Sequence, residues 1–384
     1  MMDLEQSNKP ATSSFRSRLI WFLSATSLGY PLALLFLICV MNPFVGERNA
    51  TVAFLLYLPQ SIWVLTTLPF AFMAWFFFRR WVWVYLPLLL LHLLLGMGWR
   101  LSLSVPEEFD ESLCVRVMSF NRGQHSSYSL QPFKGIEKPD VILLQEASRR
   151  EANYRRSEGY KEYPHIVAKG EFIALSKWPI LDASEVRSPQ RVVFKTSKGR
   201  MKVREDRVEG DLLAIRLELE LPGGKRFALY NVHFPTPRDI LNDSKRGGFL
   251  SGILGLPGTP LADKRKLYEA YWMERVKQSE GFIDLVGRDP LPKIIAGDFN
   301  MPSNGYVYRL FAERWKDAHT EAGEGFGYTF PGSTRNPLSL GSAWLRLDYV
   351  FSSHGWDVAR LNVDKTGNSQ HRPISATLVL RESP

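Results

Sequence analysis

Cysteine is almost missing: the 384 residues hold two, Cys39 in an apolar run and Cys114 at the start of a mixed segment. They are not placed to meet, so no disulfide framework supports the fold. No Cys or His group has zinc spacing, which disfavours a zinc hydrolase. Residues 112–384 also lack repeats and low-complexity tracts and show short apolar runs between turn residues. A large excess of positive charge is lacking too. Residues 1–105 hold seven Lys/Arg and three Asp/Glu, and the remainder holds 41 and 36. A surplus of five over that remainder is modest for gripping nucleic acid by its phosphates, so nucleic acid is a possible but not favoured partner.

Charge of either sign is absent from three long runs, residues 19–41, 52–78 and 81–99. Each reaches the roughly 20 residues that cross a bilayer as a helix. A cleaved signal peptide does not account for three such runs in succession. The expectation is a three-helix transmembrane region over residues 19–100, with Pro31, Pro59, Pro69 and Pro87 tolerated inside the helices and His92 in a packing role. Lys9, Arg16 and Arg18 before the first run and Arg79-Arg80 between the second and third belong on the cytoplasmic side. Glu107, Glu108, Asp110 and Glu111 follow the third run. The predicted arrangement is integral to the cytoplasmic (inner) membrane: a cytoplasmic tail over 1–18, a linker over 101–112, and one domain over 113–384 outside.

In that domain, "DLLAIRLELELPGGKRFALYNVHF" alternates with period two around Pro222-Gly223-Gly224, with Leu213, Ile215, Leu217 and Leu219 on one face, and predicts a hairpin. Five apolar runs carry a polar residue at or near one end: Asn121 in "CVRVMSFN", Glu146 in "DVILLQE", Asn231 and His233 in "FALYNVH", Asp298 and Asn300 in "KIIAGDFN", and Asp348 in "WLRLDYVF". The spacing of two puts Asn231 with His233, and Asp298 with Asn300, on one face of a strand. Glu146 with the Asn121 amide oxygen offers hard oxygen ligands suited to Mg²⁺ or Mn²⁺. Asp298 and Asn300 can orient an attacking water. Asn231, His233 and His371 can donate to phosphoryl oxygens as charge accumulates on them.

The ordered series "SFN", "LQE", "IALSKWPI", "NVH", "GDFN", "TFP", "LDYVF" and "SQHRP" resembles the endonuclease/exonuclease/phosphatase superfamily over about residues 113–381. The resemblance implies a four-layer α/β sandwich, two packed mostly antiparallel sheets flanked by helices, with the site at one end of the strands. It implies that Asn121 and Glu146 bind the divalent metal and that Asp298 with Asn300 positions the nucleophilic water. Asn231 and His233 would stabilise the phosphoryl transition state, and Asp348 would hold His371 as a dyad. His233 in "NVH" is the variant of the sphingomyelinase and phosphatase-like branches. One departure stands out. The family pattern is Ser-Asp-His, and this chain reads Ser369-Gln370-His371. Gln370 keeps a metal-ligating oxygen but loses a negative charge, which weakens metal binding.

Two insertions bear on partners. "RVVFKTSKGRMKVRED" is a basic hairpin or loop, solvated or in contact with anionic lipid headgroups or a polyanionic ligand. "KRGGFLSGILGLPGTPLADKRK" has the apolar and basic make-up of a loop at a membrane interface, over an active site or packed on a helix. The expected function is a membrane-anchored, Mg²⁺- or Mn²⁺-dependent phosphoester hydrolase, leaning to phosphodiesters and with lipid headgroups in reach. The alternatives are a degenerate domain that binds a phosphorylated ligand and an extracytoplasmic nuclease. The topology has a direct test: a reporter active only in the cytoplasm, fused after Pro384, should be silent, and a signal from it would overturn the orientation.

Overall fold

The computed structural model describes residues 12–77, 79, 82–101, 110–123, 129–188, 191–197, 200–208, 210–244, 249–250, 253–254, 262–332, 341–365 and 370–381. Expectations resting on Lys9, Arg80, Glu107, Glu108, Ser369 and most of residues 245–261 lie outside them, as do those on the side chains of Arg16 and of the basic run.

Fourteen strands are described: β1 (Cys114–Asn121), β2 (Val141–Gln145), β3 (His165–Lys169), β4 (Phe172–Ser176), β5 (Ile180–Arg187), β6 (Arg191–Ser197), β7 (Arg200–Val208), β8 (Leu212–Glu220), β9 (Arg226–His233), β10 (Lys293–Asp298), β11 (Lys316–Asp317), β12 (Asp348–Ser352), β13 (Trp356–Val363) and β14 (Ile374–Leu380). One sheet runs β13-β14-β1-β2-β4-β3 and the other β11-β12-β10-β9-β8-β5, while β6 and β7 form a separate ribbon from the basic insertion. Each large sheet has one parallel pair at its centre, β1 with β2 and β9 with β10, and is otherwise antiparallel. Parallel neighbours end on the same side. The register therefore sets Asn121 beside Gln145 and Asp298 beside His233, with Asp348 of antiparallel β12 facing Asp298.

The sheets face each other across Val115, Val117 and Leu143 on one side and Ile215, Leu229 and Ile294 on the other, with Trp356 closing the layer. Strand β2 is buried along its whole length, which its unbroken "VILLQ" run requires. The predicted hairpin forms as β8 and β9. Leu213, however, leaves the face of Ile215, Leu217 and Leu219 and packs on the outer side. It does so opposite an irregularity where Val186 pairs with Ala214 but Arg187 with Leu212.

Ten α-helices are described: α1 (Thr12–Phe36), α2 (Ala50–Leu56), α3 (Ser61–Phe77), α4 (Val82–Leu91), α5 (Phe133–Glu137), α6 (Glu151–Arg156), α7 (Arg238–Asp243), α8 (Ala262–Gly287), α9 (Tyr306–Ala312) and α10 (Ala318–Ala322). Helices α5 and α6 lay Phe133 and Tyr154 on the outer face of the first sheet. Val276, Phe282 and Val286 of α8 and Phe311 of α9 cover the second. The result is two mixed sheets flanked by helices, an α/β sandwich.

The N-terminal region departs from three uniform spans. One continuous helix, Ser17–Arg48 of 32 residues, is long and apolar enough to cross a membrane, and both an anchor and a signal sequence have that length and composition. The run at 52–78 is split into α2 and α3, bent by 93° at a break holding Pro59, and the third run is a shorter helix, Val82–Gly96. The break has a packing cause. Helix α2 turns Ala50, Ala53 and Leu56 onto Tyr268 and Trp272 of α8, so its apolar surface is buried by the sandwich. Helices α1, α3 and α4 instead turn Trp21, Phe72, Phe76, Trp83 and Leu86 outward.

The start of β12 is pinned by a buried ion pair. Arg346 Nη2 donates to Asp317 Oδ2 at 2.6 Å and Nη1 to Oδ1 at 3.2 Å. Burial alone would raise the pKa of Asp317, but the charges of Arg346 and His319 and the Tyr308 hydroxyl outweigh it and lower it. A depressed carboxylate stabilises the fold above its unfolded value and loses that contribution as pH falls through the folded one. Arg346→Met, which strands Asp317, should cost about 3–5 kcal/mol in denaturant unfolding at pH 7 and reduce the acid-side loss of stability. A cost below about 0.5 kcal/mol would contradict the pairing.

Candidate active site

The polar strand ends meet around one oxygen. Asp298 is wholly buried at the end of β10. Its Oδ2 accepts from Asn121 Nδ2 at 2.9 Å and Asn300 Nδ2 at 3.2 Å, while Oδ1 accepts from the Asn300 amide at 2.8 Å. His371 Nε2 and His233 Nε2 stand 3.6 and 3.7 Å from the same Oδ2. The local backbone is shaped for this. A Cβ on Gly297 would lie 1.9 Å from the Val232 carbonyl oxygen, so only glycine lets β10 run this close to β9 immediately before Asp298. Glu146 (φ 49°) and Asn300 (φ 48°) adopt left-handed backbone just beyond their strands, an uncommon state that turns the chain sharply at the site.

His371 donates from Nδ1 to Asp348 Oδ2 at 2.9 Å, with the Phe330 ring 4.9 Å away, centroid to centroid. Burial opposes a charge on this imidazole, but Asp348 and Asp298 outweigh it and push its pKa up to about 9, so it is protonated at neutral pH. Asp348 is fixed in turn, because the Leu347 and Asp348 amides both donate to Thr329 Oγ1 at 3.1 and 3.3 Å. Burial also opposes charge on His233, and there a hydrogen bond to Glu171 Oε1 at 3.0 Å, with Asp298 and Glu146 nearby, raises the pKa. Burial raises the pKa of Asp298 itself, with His371 holding it back and Asp348 adding to the rise.

The expected residues thus converge with one exception. Asn231 lies one pleat below His233 on the same face, and its amide links the two sheets. Nδ2 donates to Leu144 O at 3.1 Å and Ile173 O at 3.2 Å, and Oδ1 accepts from Gln145 Nε2 at 2.7 Å. With both ends of the amide engaged, Asn231 ties the two sheets together directly beneath the site. Spacing of two told the face but not the depth. Glu171, Thr329 and Gln145 were not singled out from sequence. Thr329 sits in "TFP" and Gln145 in "LQE", so those motifs carried a signal, whereas nothing local marks Glu171, which reaches His233 from the turn between β3 and β4.

A cavity of about 210 Å³ opens over these groups, lined by Glu146, Asp298, Asn300, Gln370 and His371. Four carboxylates, of Glu146, Glu171, Asp298 and Asp348, face two imidazoles. Even with both rings protonated, negative charge remains, which suits a cation bound by oxygen ligands. Asp298, Asp348 and His371 hold ligand atoms within 4.8 Å of one another. A cation among those three would have to displace the His371–Asp348 hydrogen bond. Glu146 and Asp298 are the carboxylates at the cavity wall, and Asn121 Nδ2 donates to Glu146 Oε1 at 3.2 Å. For Asn121 to ligate, its amide must turn so that Oδ1, now accepting from the Gly123 amide, faces Glu146. The donor set fits a hard divalent ion on the Glu146 side.

Several solved structures are similar at low identity. A protein of the endonuclease/exonuclease/phosphatase family from Bacteroides thetaiotaomicron is 16% identical, with 70% of this chain and 98% of that one covered and a TM-score of 0.43. The human Nocturnin catalytic domain, solved with a sulfate anion, is 15% identical over 70% of this chain and 95% of its own, at 0.44. A mannosyl-6-phosphatase of Bacteroides thetaiotaomicron is 16% identical over 69% and 100%, at 0.42. Comparison with curated proteins finds no match. The sequence pattern of the Endonuclease/Exonuclease/phosphatase family, in contrast, matches residues 127–371. Because that stretch is well over half the chain and runs from ahead of Glu146 through His371, this chain belongs to the endonuclease/exonuclease/phosphatase family.

Proposed function

We propose that the chain is a divalent-metal-dependent phosphoester hydrolase, acting by in-line attack of water on phosphorus and favouring phosphodiesters. The observation that carries this reading is the convergence of two imidazoles and two carboxamides on the buried Asp298, with Glu146 beside Asn121 and His233 at the same cavity. Asp298 and Asn300 orient the attacking water, and the raised pKa of Asp298 makes it a better proton acceptor than an exposed carboxylate. The His371 imidazolium, held by Asp348, and His233, held by Glu171, place positive charge where the phosphoryl oxygens gain negative charge. Asn231 acts at one remove by tying β9 to β2 and β4. A Mg²⁺ or Mn²⁺ ion held by Glu146 and Asn121, with Gln370 on the same cavity wall, would supply charge neutralisation at the phosphoryl group when bound.

The cavity also favours a substrate with an apolar portion. Tyr57, Leu241, Phe330 and Trp344 form one wall, and Arg238 is the only Lys or Arg among the described lining residues. A nuclease needs a track of cations along the backbone, so a lipid headgroup phosphoester fits better than nucleic acid. We place the apolar N-terminal helices in the cytoplasmic membrane, with the tail inside and the sandwich outside. A second reading, a domain that binds a phosphorylated ligand without turnover, is favoured by one observation, the uncharged Gln370 at the cavity.

The purified full chain should hydrolyse bis-p-nitrophenyl phosphate or phospholipid vesicles only with Mg²⁺ or Mn²⁺. Asp298→Ala and His371→Ala should each lower kcat/KM by about 10²–10⁴. Absence of metal-dependent turnover on either substrate and on single-stranded DNA would support the binding module instead. Gln370→Asp should lower the Mg²⁺ concentration for half-maximal activity by on the order of tenfold. An unchanged metal dependence would put position 370 outside the metal's surroundings.

A further inference from the structure

Glu47 and Tyr57 belong to the N-terminal helical region, yet both are built into the sandwich, and Tyr57 reaches the site itself. Glu47 is buried at the end of the long apolar helix, and its Oε2 accepts from the Val307 amide in the first turn of α9 at 3.1 Å. The Glu47 carboxylate packs directly against Gly305, where a Cβ would lie 2.6 Å from its Oε1. Asn49 caps α2, its Oδ1 accepting from the Thr51 and Val52 amides at 3.0 and 3.2 Å. At the other end of α2, the Tyr57 ring stacks on Trp272 at 5.5 Å and 30°. Tyr57 Oη then donates to the main-chain carbonyl of Asn300 at 2.6 Å. Arg275 Nη2 donates to the same oxygen at 2.9 Å and Nη1 to the Pro235 carbonyl.

That carbonyl belongs to the residue whose amide group and side chain both hold Asp298 and whose backbone is left-handed. Two donors on one carbonyl fix the orientation of the 300–301 peptide. The direction of Asn300 Nδ2, which is shared between Asp298 Oδ2 and the Phe234 carbonyl at 2.9 Å, follows from it. Tyr57 also lines the cavity, so one side chain both walls the site and sets the geometry of its base. We propose that Tyr57 is a positioning residue for Asn300 and Asp298, and that α2 is therefore a working part of the active site, not a spacer between membrane and enzyme. The proposal rests on the hydrolase reading and adds that the sandwich alone, without residues 47–57, holds an incomplete site.

The test uses the full chain in lipid nanodiscs and Tyr57→Phe, which keeps the ring on Trp272 and removes only the hydroxyl. With Mg²⁺ and bis-p-nitrophenyl phosphate, kcat should fall about tenfold while KM stays within about twofold, as for a lost buried hydrogen bond that acts on the transition state. The thermal midpoint should stay within about 2 °C of wild type. Inorganic phosphate binding, read by calorimetry without turnover, should weaken at least about threefold in the variant although KM does not, because the fourth phosphate oxygen takes the place of the attacking water that Asn300 orients, a contact the diester substrate does not make. Equal kcat and equal phosphate affinity in variant and wild type would overturn the proposal. So would a fall in kcat matched by a rise in KM and a lowered midpoint, the pattern of a packing residue. A wild type with no turnover would overturn the hydrolase reading, and the phosphate comparison would still decide on Tyr57. A wild type that neither turns over nor binds phosphate would overturn both.

Discussion

The structure depends most on one buried oxygen, Asp298 Oδ2. A carboxylate removed from water is tolerated only where donors and positive charge surround it. Asn121 comes from β1 in one sheet, His233 and Asp298 itself from β9 and β10 in the other, Asn300 from the loop that follows, and His371 from the segment before β14. Stacking the sheets and solvating Asp298 are therefore the same event. The parallel pair at the centre of each sheet makes it possible, because parallel strands bring their ends to one side.

The groups around that oxygen are held by others that never reach the cavity. Thr329 orients Asp348, Glu171 orients His233, and the Gln145–Asn231 contact ties the sheets one pleat below. Preorganised charge of this kind costs nothing at the moment of reaction, since the ordering is done when the chain folds. The same arrangement leaves negative charge in surplus on the Glu146 side, where the cavity opens.

The N-terminal region shows that protein can bury a run whose uncharged composition alone fits a lipid surrounding equally well. Residues 52–78 read as one uncharged run, but Ala50, Ala53 and Leu56 face Tyr268 and Trp272, and the chain bends by 93° before α3. An apolar side chain leaves water equally well in either setting, so hydrophobicity alone cannot distinguish them. The small residues Ala50 and Ala53 on one face of α2 permit its close docking on α8, and Asn49 caps the start of the helix.

Much of this was legible in the residues because it is local. Strands ending on Asn121, Glu146, His233 and Asp298 are readable, since an apolar run and the polar residue that closes it adjoin in sequence. The hairpin of β8 and β9 is readable because period two and a Pro-Gly-Gly turn are short-range signals. The family resemblance added order and spacing, and with them the Asp348–His371 pairing. What it could not supply was depth and partnership across the fold. Asn231 and His233 share a face, yet only stacking of the sheets decided that one links strands and the other meets Asp298. Tyr57 and Asn300 lie 243 positions apart, and no pattern along the chain couples them. Sequence determined which residue types gather at the strand ends, because alternation and turn chemistry are written in neighbouring residues. Tertiary structure alone decided which atoms share a hydrogen bond, because that depends on how separate elements pack.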